Sequence, residues 1–206
     1  MNLVCVSESH FDLDYYGGPG LKITPSVEGK DAKVEIEAFV TNRKPGQALR
    51  YSIFKPCGCP VASVETKETK ASLEIKAVHL WHGRKDPYLY NAKVELVENG
   101  QAIDNVSSRF GCRTFRVDPN EGFILNGESY PLRGVSRHQD RWGVGNALLP
   151  EHHEEDIDLI MEVGATTIRL AHDQHAQHFY DLCDEKGLVI WAANTRRTPS
   201  MPIRPG

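Results

Sequence analysis

The sequence has 206 residues, of which 40% are hydrophobic and 25% are charged, and these values argue against extensive disorder. The net charge of −4 produces no broad positive field, so composition does not support a nucleic-acid partner. No apolar run is long enough to span a membrane, and the visible start lacks the basic and apolar segments of a signal peptide.

The first half of the chain reads as short strands. Residues 15–20 are rich in glycine and proline and predict a link rather than a core. Beyond them, apolar and polar residues alternate with the period of a strand that buries one face. Turn signals containing glycine separate the candidate strands, which are residues 34–40, 49–54, 61–66, 73–78, 92–97 and 107–116. Six or seven strands without a helical pattern predict an immunoglobulin-like β-sandwich over residues 21–117.

After Asp118 strands alternate with helices. The predicted strands are residues 130–135, 166–170 and 188–191, and the predicted helices are residues 151–163 and 176–186. This alternation predicts parallel pairing, which fits either an open doubly wound sheet or the start of a (β/α) barrel. Residues 193–206 contain prolines and arginines without periodicity, and we expect an irregular tail of foreign or frameshifted sequence.

The spacing of cysteines and histidines does not predict a metal site. Five cysteines, an odd number with irregular spacing, argue against a disulfide framework and favour reduced thiols in a cytoplasm. Cys57-Gly58-Cys59 lacks the second ligand pair of a zinc site, so we interpret it as a turn. His175 and His178 have a spacing compatible with ligation, but no carboxylate or cysteine completes the set.

Other titratable residues have simple interpretations. Residues 154–156 are acids near a helix start, where they favour the helix dipole. His152 and His153 are predicted to be solvated.

Four motifs in collinear order carry a resemblance to a known family. Residues 123–138, FILNGESYPLRGVSRH, resemble the signature that opens the catalytic barrel of family 2 glycoside hydrolases. Residues 165–172 and 179–188 resemble the next two motifs of that barrel. Trp81 with residues 87–90 resembles the end of the family's sandwich domain, and residues 10–18 resemble the tail of its sugar-binding domain.

The chain is identified as a member of this family, of the β-galactosidase type, and as a fragment. The resemblance implies the tail of a jelly-roll sugar-binding domain in residues 1–20 and the sandwich in residues 21–117. Residues 118–192 would then be the first three strands and two helices of a (β/α)8, or TIM, barrel. The sequence of residues 137–141 and 145–147 resembles the β-galactosidase branch more than the β-glucuronidase or β-mannosidase branches.

The resemblance implies retaining hydrolysis of terminal β-galactosides, in which one carboxyl group is the nucleophile and another the acid/base. In the family both are glutamates of later barrel strands, so no residue here receives a catalytic role and we expect the chain to be inactive alone. His138 and His172 directly follow the first two barrel strands, at the end where active sites lie. By resemblance they bind sugar hydroxyls, and Arg169 orients the nucleophile.

The sequence departs from the family pattern at residues 193–197. Family members continue there with a glutamate, and some bind magnesium slightly further on, so we expect no cofactor in this chain and magnesium only in the longer parent. A non-catalytic module that binds carbohydrate or a partner chain remains an alternative, as do β-glucuronidase and β-mannosidase activity. An open sheet edge in residues 118–206 predicts weak stability or homo-oligomers.

Overall fold

The computed structural model describes residues 3–192. Among these residues, neither helix has the length and apolar character needed to cross a membrane. The described chain forms two compact units. Unit 1 contains residues 3–82, Tyr88–Arg116 and Leu125–Glu128, and unit 2 contains Gly83–Pro87, Val117–Ile124 and residues 129–192.

Unit 1 is built from strands β1 to β9. Their bounds are His10–Phe11, Leu21–Glu28, Asp31–Ala38, Val40–Thr41, Ala48–Phe54, Pro60–Thr66, Lys70–Ile75, Tyr90–Glu98 and Gln101–Phe110. Strands β2, β3 and β7 form one antiparallel sheet, and β6, β5, β8 and β9 form a second in that order. The short strands β1 and β4 pair separately.

Alternating apolar residues form the core of this sandwich. Val34 and Ile36 in β3 and Tyr51, Val94 and Leu96 in the other sheet are completely buried, while their neighbours along each strand are less buried. Burial of one face of each sheet against the other is what an antiparallel sandwich requires. Seven strands in two antiparallel sheets confirm the predicted immunoglobulin-like sandwich.

The strand predicted over residues 107–116 is wrong as a single element. Strand β9 begins earlier, at Gln101, and ends at Phe110. The chain then leaves the sheet because Gly111 lies against the ring of the buried Trp81, and the Trp81 amide donates a 2.8 Å hydrogen bond to the Cys112 carbonyl. Pairing resumes in a small sheet of β10 (Phe115–Asp118), β11 (Gly122–Leu125) and β12 (Glu128–Ser129).

Unit 2 contains a parallel βαβαβ run. Its elements are β13 (Gly134–Arg137), α1 (Pro150–Glu162), β14 (Thr167–Leu170), α2 (Gln177–Lys186) and β15 (Val189–Ala192). Strand β14 lies between β13 and β15, and both pairings are parallel as predicted. Apolar residues of both helices cover one face of this sheet, and they form a core of Ile157, Ile160, Ile168, Leu170, Phe179 and Leu182.

The first of these strands lies later in the chain than predicted. Residues 130–135 were expected to pair, but β13 starts at Gly134. The preceding residues are used differently, because Pro131 has no amide hydrogen and the amide of Arg133 donates to the Thr166 hydroxyl at 2.9 Å. The shift places Arg137 inside the strand, paired with the buried Leu170.

Candidate active site

The structure brings the predicted site histidines together. His138 follows the last residue of β13, and His172 lies two residues after β14. Their rings are 5.1 Å apart between centroids and meet edge to face at 74°. A cis peptide bond joins Ala171 to His172. The carboxyl ends of two adjacent parallel strands therefore place both imidazoles at one edge of the sheet.

Arg169 lies beside this pair. It is exposed between the buried Ile168 and Leu170 of β14, on the sheet face away from the helices. Its Nη2 atom lies 3.3 Å from Nδ1 of His172. All three residues that the sequence singled out are thus in one place, although their roles with a sugar stay predictions.

The face that carries Arg169 forms an open groove. The groove is lined by Leu132, Gly134, Val135, Ser136, Thr167, Arg169 and Trp191, which belong to the three strands and the residues before them. Polar and apolar groups are both present, as in a site that combines stacking with hydrogen bonds. The groove leaves Arg169 accessible to an anionic group.

The hydrogen-bond chemistry of the pair suits hydroxyl groups. A neutral imidazole has one donor and one acceptor nitrogen. When Arg169 donates to Nδ1 of His172, the neutral ring carries its hydrogen on Nε2 and can donate it to a ligand oxygen. The arrangement can therefore position a polyhydroxylated ligand.

A buried cationic network near the pair was missed by sequence reasoning. The Arg137 side chain is only 5% exposed. Its Nη2 lies 2.7 Å from Oδ2 of Asp156, and its Nη1 and Nη2 lie 3.1 Å from Nδ1 of His175 and of His153, respectively. The guanidinium also lies 3.9 Å from the centre of the Phe179 ring. The N–H groups of this cation therefore have partners on α1 and next to α2, and an aromatic ring lies over its plane.

The network corrects two sequence interpretations. His153 is buried rather than solvated, and Asp156 lies beyond the first turn of α1, which begins at Pro150. Asp156 is therefore an ion-pair partner of Arg137 rather than a residue that only favours the helix dipole. The signal available in the sequence was the arginine that directly precedes His138 at the end of a strand.

Electrostatics keep the two buried imidazoles neutral. Burial lowers the pKa of His153, and the positive charge of Arg137 lowers it further. Burial is also the largest cause that lowers the pKa of His175, and Arg137 again acts in the same direction. Neutral rings can accept hydrogen bonds from the guanidinium, whereas protonated rings cannot.

The described part of the chain offers no group of three or more histidine, cysteine or acidic side chains arranged to hold a metal ion. The positions at which the family resemblance implies a glutamate and a magnesium ligand fall in residues 193–206, outside the described residues. The predicted irregular tail also lies there.

Comparisons with known proteins match both halves of the chain. The model for "Glycosyl hydrolases family 2" matches residues 19–113, and the model for "Glycosyl hydrolases family 2, TIM barrel domain" matches residues 116–203. This order agrees with the predicted fold class, a sandwich followed by the start of a TIM barrel.

Relatives carry two different activity names. A β-glucuronidase of Bacteroides fragilis is 38% identical, over 86% of this chain and 27% of its own length. A β-galactosidase of Thermoanaerobacter pseudethanolicus is 33% identical, over 83% of this chain and 22% of its own. The crystal structure of an FMN-binding β-glucuronidase from Facaelibacterium prausnitzii L2-6 is 47% identical with a TM-score of 0.87, covering 91% of this chain and 29% of that one. The chain spans about a quarter of the length of the curated relatives it matches.

Proposed function

We propose, from the premise that this chain belongs to glycosyl hydrolase family 2, that it supplies one side of the sugar site in a longer retaining β-glycosidase. The observation that carries the proposal is the edge-to-face pair of His138 and His172, 5.1 Å apart, with Arg169 against His172. By family the activity is hydrolysis of a glycosidic bond.

The proposed roles follow from the chemistry of each group. His138 and His172 bind hydroxyl groups of the sugar, and hydrogen bonds that strengthen as the ring approaches the transition state accelerate the reaction. Arg169 binds the nucleophilic carboxylate and holds it ionised, because a nearby cation stabilises the charged form. The nucleophile and the acid/base are glutamates of later barrel strands, beyond residue 206 of this numbering, in the longer protein.

The proposed substrates are β-glucuronides first and β-galactosides second. The relatives at 38% and 47% identity are named β-glucuronidases, which supports the glucuronide. Two observations support the galactoside. The sequence motif of residues 137–141 resembles the β-galactosidase branch, and a β-galactosidase is 33% identical to the chain. The two sugars differ at C5, which carries a carboxylate in one and a hydroxymethyl in the other, and in the configuration of the hydroxyl on C4.

Turnover of chromogenic substrates by the longer protein tests this proposal. Nitrophenyl β-glucuronide and nitrophenyl β-galactoside are assayed side by side with His138→Ala and His172→Ala. Each substitution should lower kcat/KM by roughly 10–100-fold, since misplaced or missing positioning groups cost that much. His82→Ala, in unit 1, is the matched control and should retain full activity.

The 206-residue chain itself provides the second test. It should release no chromophore from either substrate, because positioning groups without the reactive carboxylates cannot form the covalent intermediate. Turnover by this chain that survives His138→Ala would contradict both the assigned site and the position of the carboxylates.

Further features of the longer protein are proposed on the same basis. Residues 1–20 end a sugar-binding domain, residues 21–117 are the sandwich, and residues 118–192 begin the catalytic barrel. Any magnesium site uses residues outside the described ones.

Trp191, 58% exposed on β15, supports self-association of this chain through its barrel strands. Five free thiols support a reducing compartment such as the cytoplasm.

A further inference from the structure

Arg137 connects the two site histidines through its backbone. It is the last residue of β13 and directly precedes His138. Its carbonyl oxygen accepts a 2.9 Å hydrogen bond from the amide of Ala171, which directly precedes His172. Arg137 is therefore next to His138 in the chain, and it also binds Ala171, the residue next to His172.

His175 makes a second connection between the same two places. Its Nδ1 lies 3.1 Å from Nη1 of Arg137, and its Nε2 lies 3.4 Å from the carbonyl oxygen of Ala171. A neutral imidazole that accepts at Nδ1 carries its hydrogen on Nε2, so the donation to Ala171 uses the tautomer that Arg137 selects. Three hydrogen bonds thus form a closed ring: the Arg137 side chain binds His175, His175 binds the Ala171 carbonyl, and the Ala171 amide binds the Arg137 carbonyl.

Gln139 ties the other side of His138 to the same segment. Its Oε1 accepts a 2.5 Å hydrogen bond from the amide of Ala176, the residue that precedes α2. The two chain neighbours of His138 therefore bind both ends of residues 171–176. That segment carries His172, so its position relative to His138 is fixed at two points.

We propose that Arg137 and His175 are positioning residues that set the spacing between His138 and His172. The inference rests on the proposed function in one respect, since the spacing matters for catalysis only if both rings bind the sugar. Arg137 does not itself face the groove, because it shares the helix-covered face of the sheet with Leu170.

The guanidinium is held in place from the helices. Asp156 and His153 of α1 bind it on one side, and the Phe179 ring of α2 lies against its plane. A planar fork of five donors can bind these partners and His175 at once, whereas the ammonium of lysine is a point charge without that geometry. Lysine at this position should keep the charge but lose the orientation of His175.

Proton NMR of the 206-residue chain, with its histidines labelled with 15N, measures the proposed spacing directly. A nuclear Overhauser effect between the rings of His138 and His172 is expected in the unmodified chain. In Arg137→Lys it should fall at least twofold while far-UV circular dichroism is retained. Arg141→Lys is the matched control, because the Arg141 side chain forms an exposed ion pair with Glu155 at 2.6 Å, and it should leave the effect unchanged.

His175→Asn decides the result if Arg137→Lys does not fold. Asparagine can still accept from Arg137 but is too short to reach the Ala171 carbonyl, so the ring of hydrogen bonds opens on one side only. The same fall in the Overhauser effect is expected. An unchanged effect in a folded Arg137→Lys or His175→Asn chain would overturn the inference.

Kinetics of the longer protein separate this inference from the proposed function. Arg137→Lys should lower kcat/KM about 10–100-fold. In a protein that already carries His172→Ala, it should cause no further loss of kcat/KM. Equal losses in both backgrounds would mean a structural role only and would overturn the inference. If His172→Ala alone has no effect, the proposed function is wrong, and the NMR result still decides the positioning role.

Discussion

Replacing Asp156 with alanine should loosen unit 2 and leave unit 1 unchanged. The substitution removes the carboxylate that binds the buried Arg137 guanidinium, at 2.7 Å. Among residues 3–192, the side chains of His153 and His175 then remain as hydrogen-bond partners of the guanidinium, and both are neutral imidazoles. Neutral partners do not compensate a buried positive charge, so the folded unit becomes less stable relative to its opened state.

The structure sets the magnitude of this loss. Removing one partner of a buried ion pair costs about 3–5 kcal/mol. The Arg137 side chain is 5% exposed and the Asp156 side chain is 32% exposed, so water already reaches the carboxylate. We therefore expect the lower end of the range, about 3 kcal/mol, which corresponds to roughly a hundredfold increase in the opening equilibrium.

Two buried cysteines allow the two units to be followed separately. Cys183 lies in α2, where burial raises its pKa to about 12, and Cys112 lies in unit 1, where burial raises its pKa to about 11. Both thiols are completely buried, so a thiol reagent modifies them only after the surrounding structure opens. The exposed cysteines, which are Cys5, Cys57 and Cys59, are blocked first.

In Asp156→Ala, labelling of Cys183 should be about a hundredfold faster, while labelling of Cys112 should keep its rate. Glu155→Ala is the control, because Glu155 forms an exposed ion pair with Arg141 and its loss should change neither rate measurably. Equal labelling of Cys183 in Asp156→Ala and Glu155→Ala would refute the reasoning, since the buried cation would then be stable without its carboxylate.

Three further predictions concern pH, helix ends and thiol reactivity. The two imidazoles that accept from Arg137 have lowered pKa values. The free energy of unfolding of unit 2 should therefore be highest above pH ~6.5 and fall at lower pH, where these histidines bind protons in the unfolded chain before they do so in the folded unit. Cys183 labelling from pH 7.5 to 5.5, corrected for thiolate fraction, would be flat if this is wrong. Gly187→Ala should lower the melting temperature more than Gly164→Ala, because both have positive φ but only the former meets a backbone carbonyl; equal shifts would disprove the clash. Cys57, whose pKa is lowered chiefly by a hydrogen bond with the Cys59 thiol, should react with iodoacetamide before Cys59. Cys59→Ala, which removes this hydrogen bond, should slow the reaction of Cys57, and an unchanged rate would disprove the effect of the hydrogen bond.

The parallel pairing and the helix ends of unit 2 were predictable because strong local signals agreed with each other. Helix α2 ends at Lys186 as predicted, since Gly187 adopts the left-handed conformation that ends a helix. Parallel pairing followed from the alternation of strands and helices. Both histidines were expected at the carboxyl ends of neighbouring strands, and the structure has His138 directly after β13 and His172 two residues after β14.

The Arg137 network was not predictable by the same means. Its partners come from β13, α1 and α2, and no local pattern in one segment names a partner in another. The strand was also predicted to end at residue 135, which left Arg137 in a loop. Only the register of the sheet, in which Arg137 lies opposite Leu170, shows that its side chain lies on the covered face.

The segment Gly83–Pro87 is assigned to unit 2 although the chain on both sides of it belongs to unit 1. Arg84 of this segment donates to the Ala165 carbonyl at 3.0 Å, across 81 positions of sequence. On a ribosome that adds about 5–20 residues per second, Ala165 is synthesised roughly 4–16 s after Arg84. Strands β8 and β9 of the sandwich are synthesised within this interval, so unit 1 can complete its second sheet while the donors of Arg84 are still hydrogen-bonded to water.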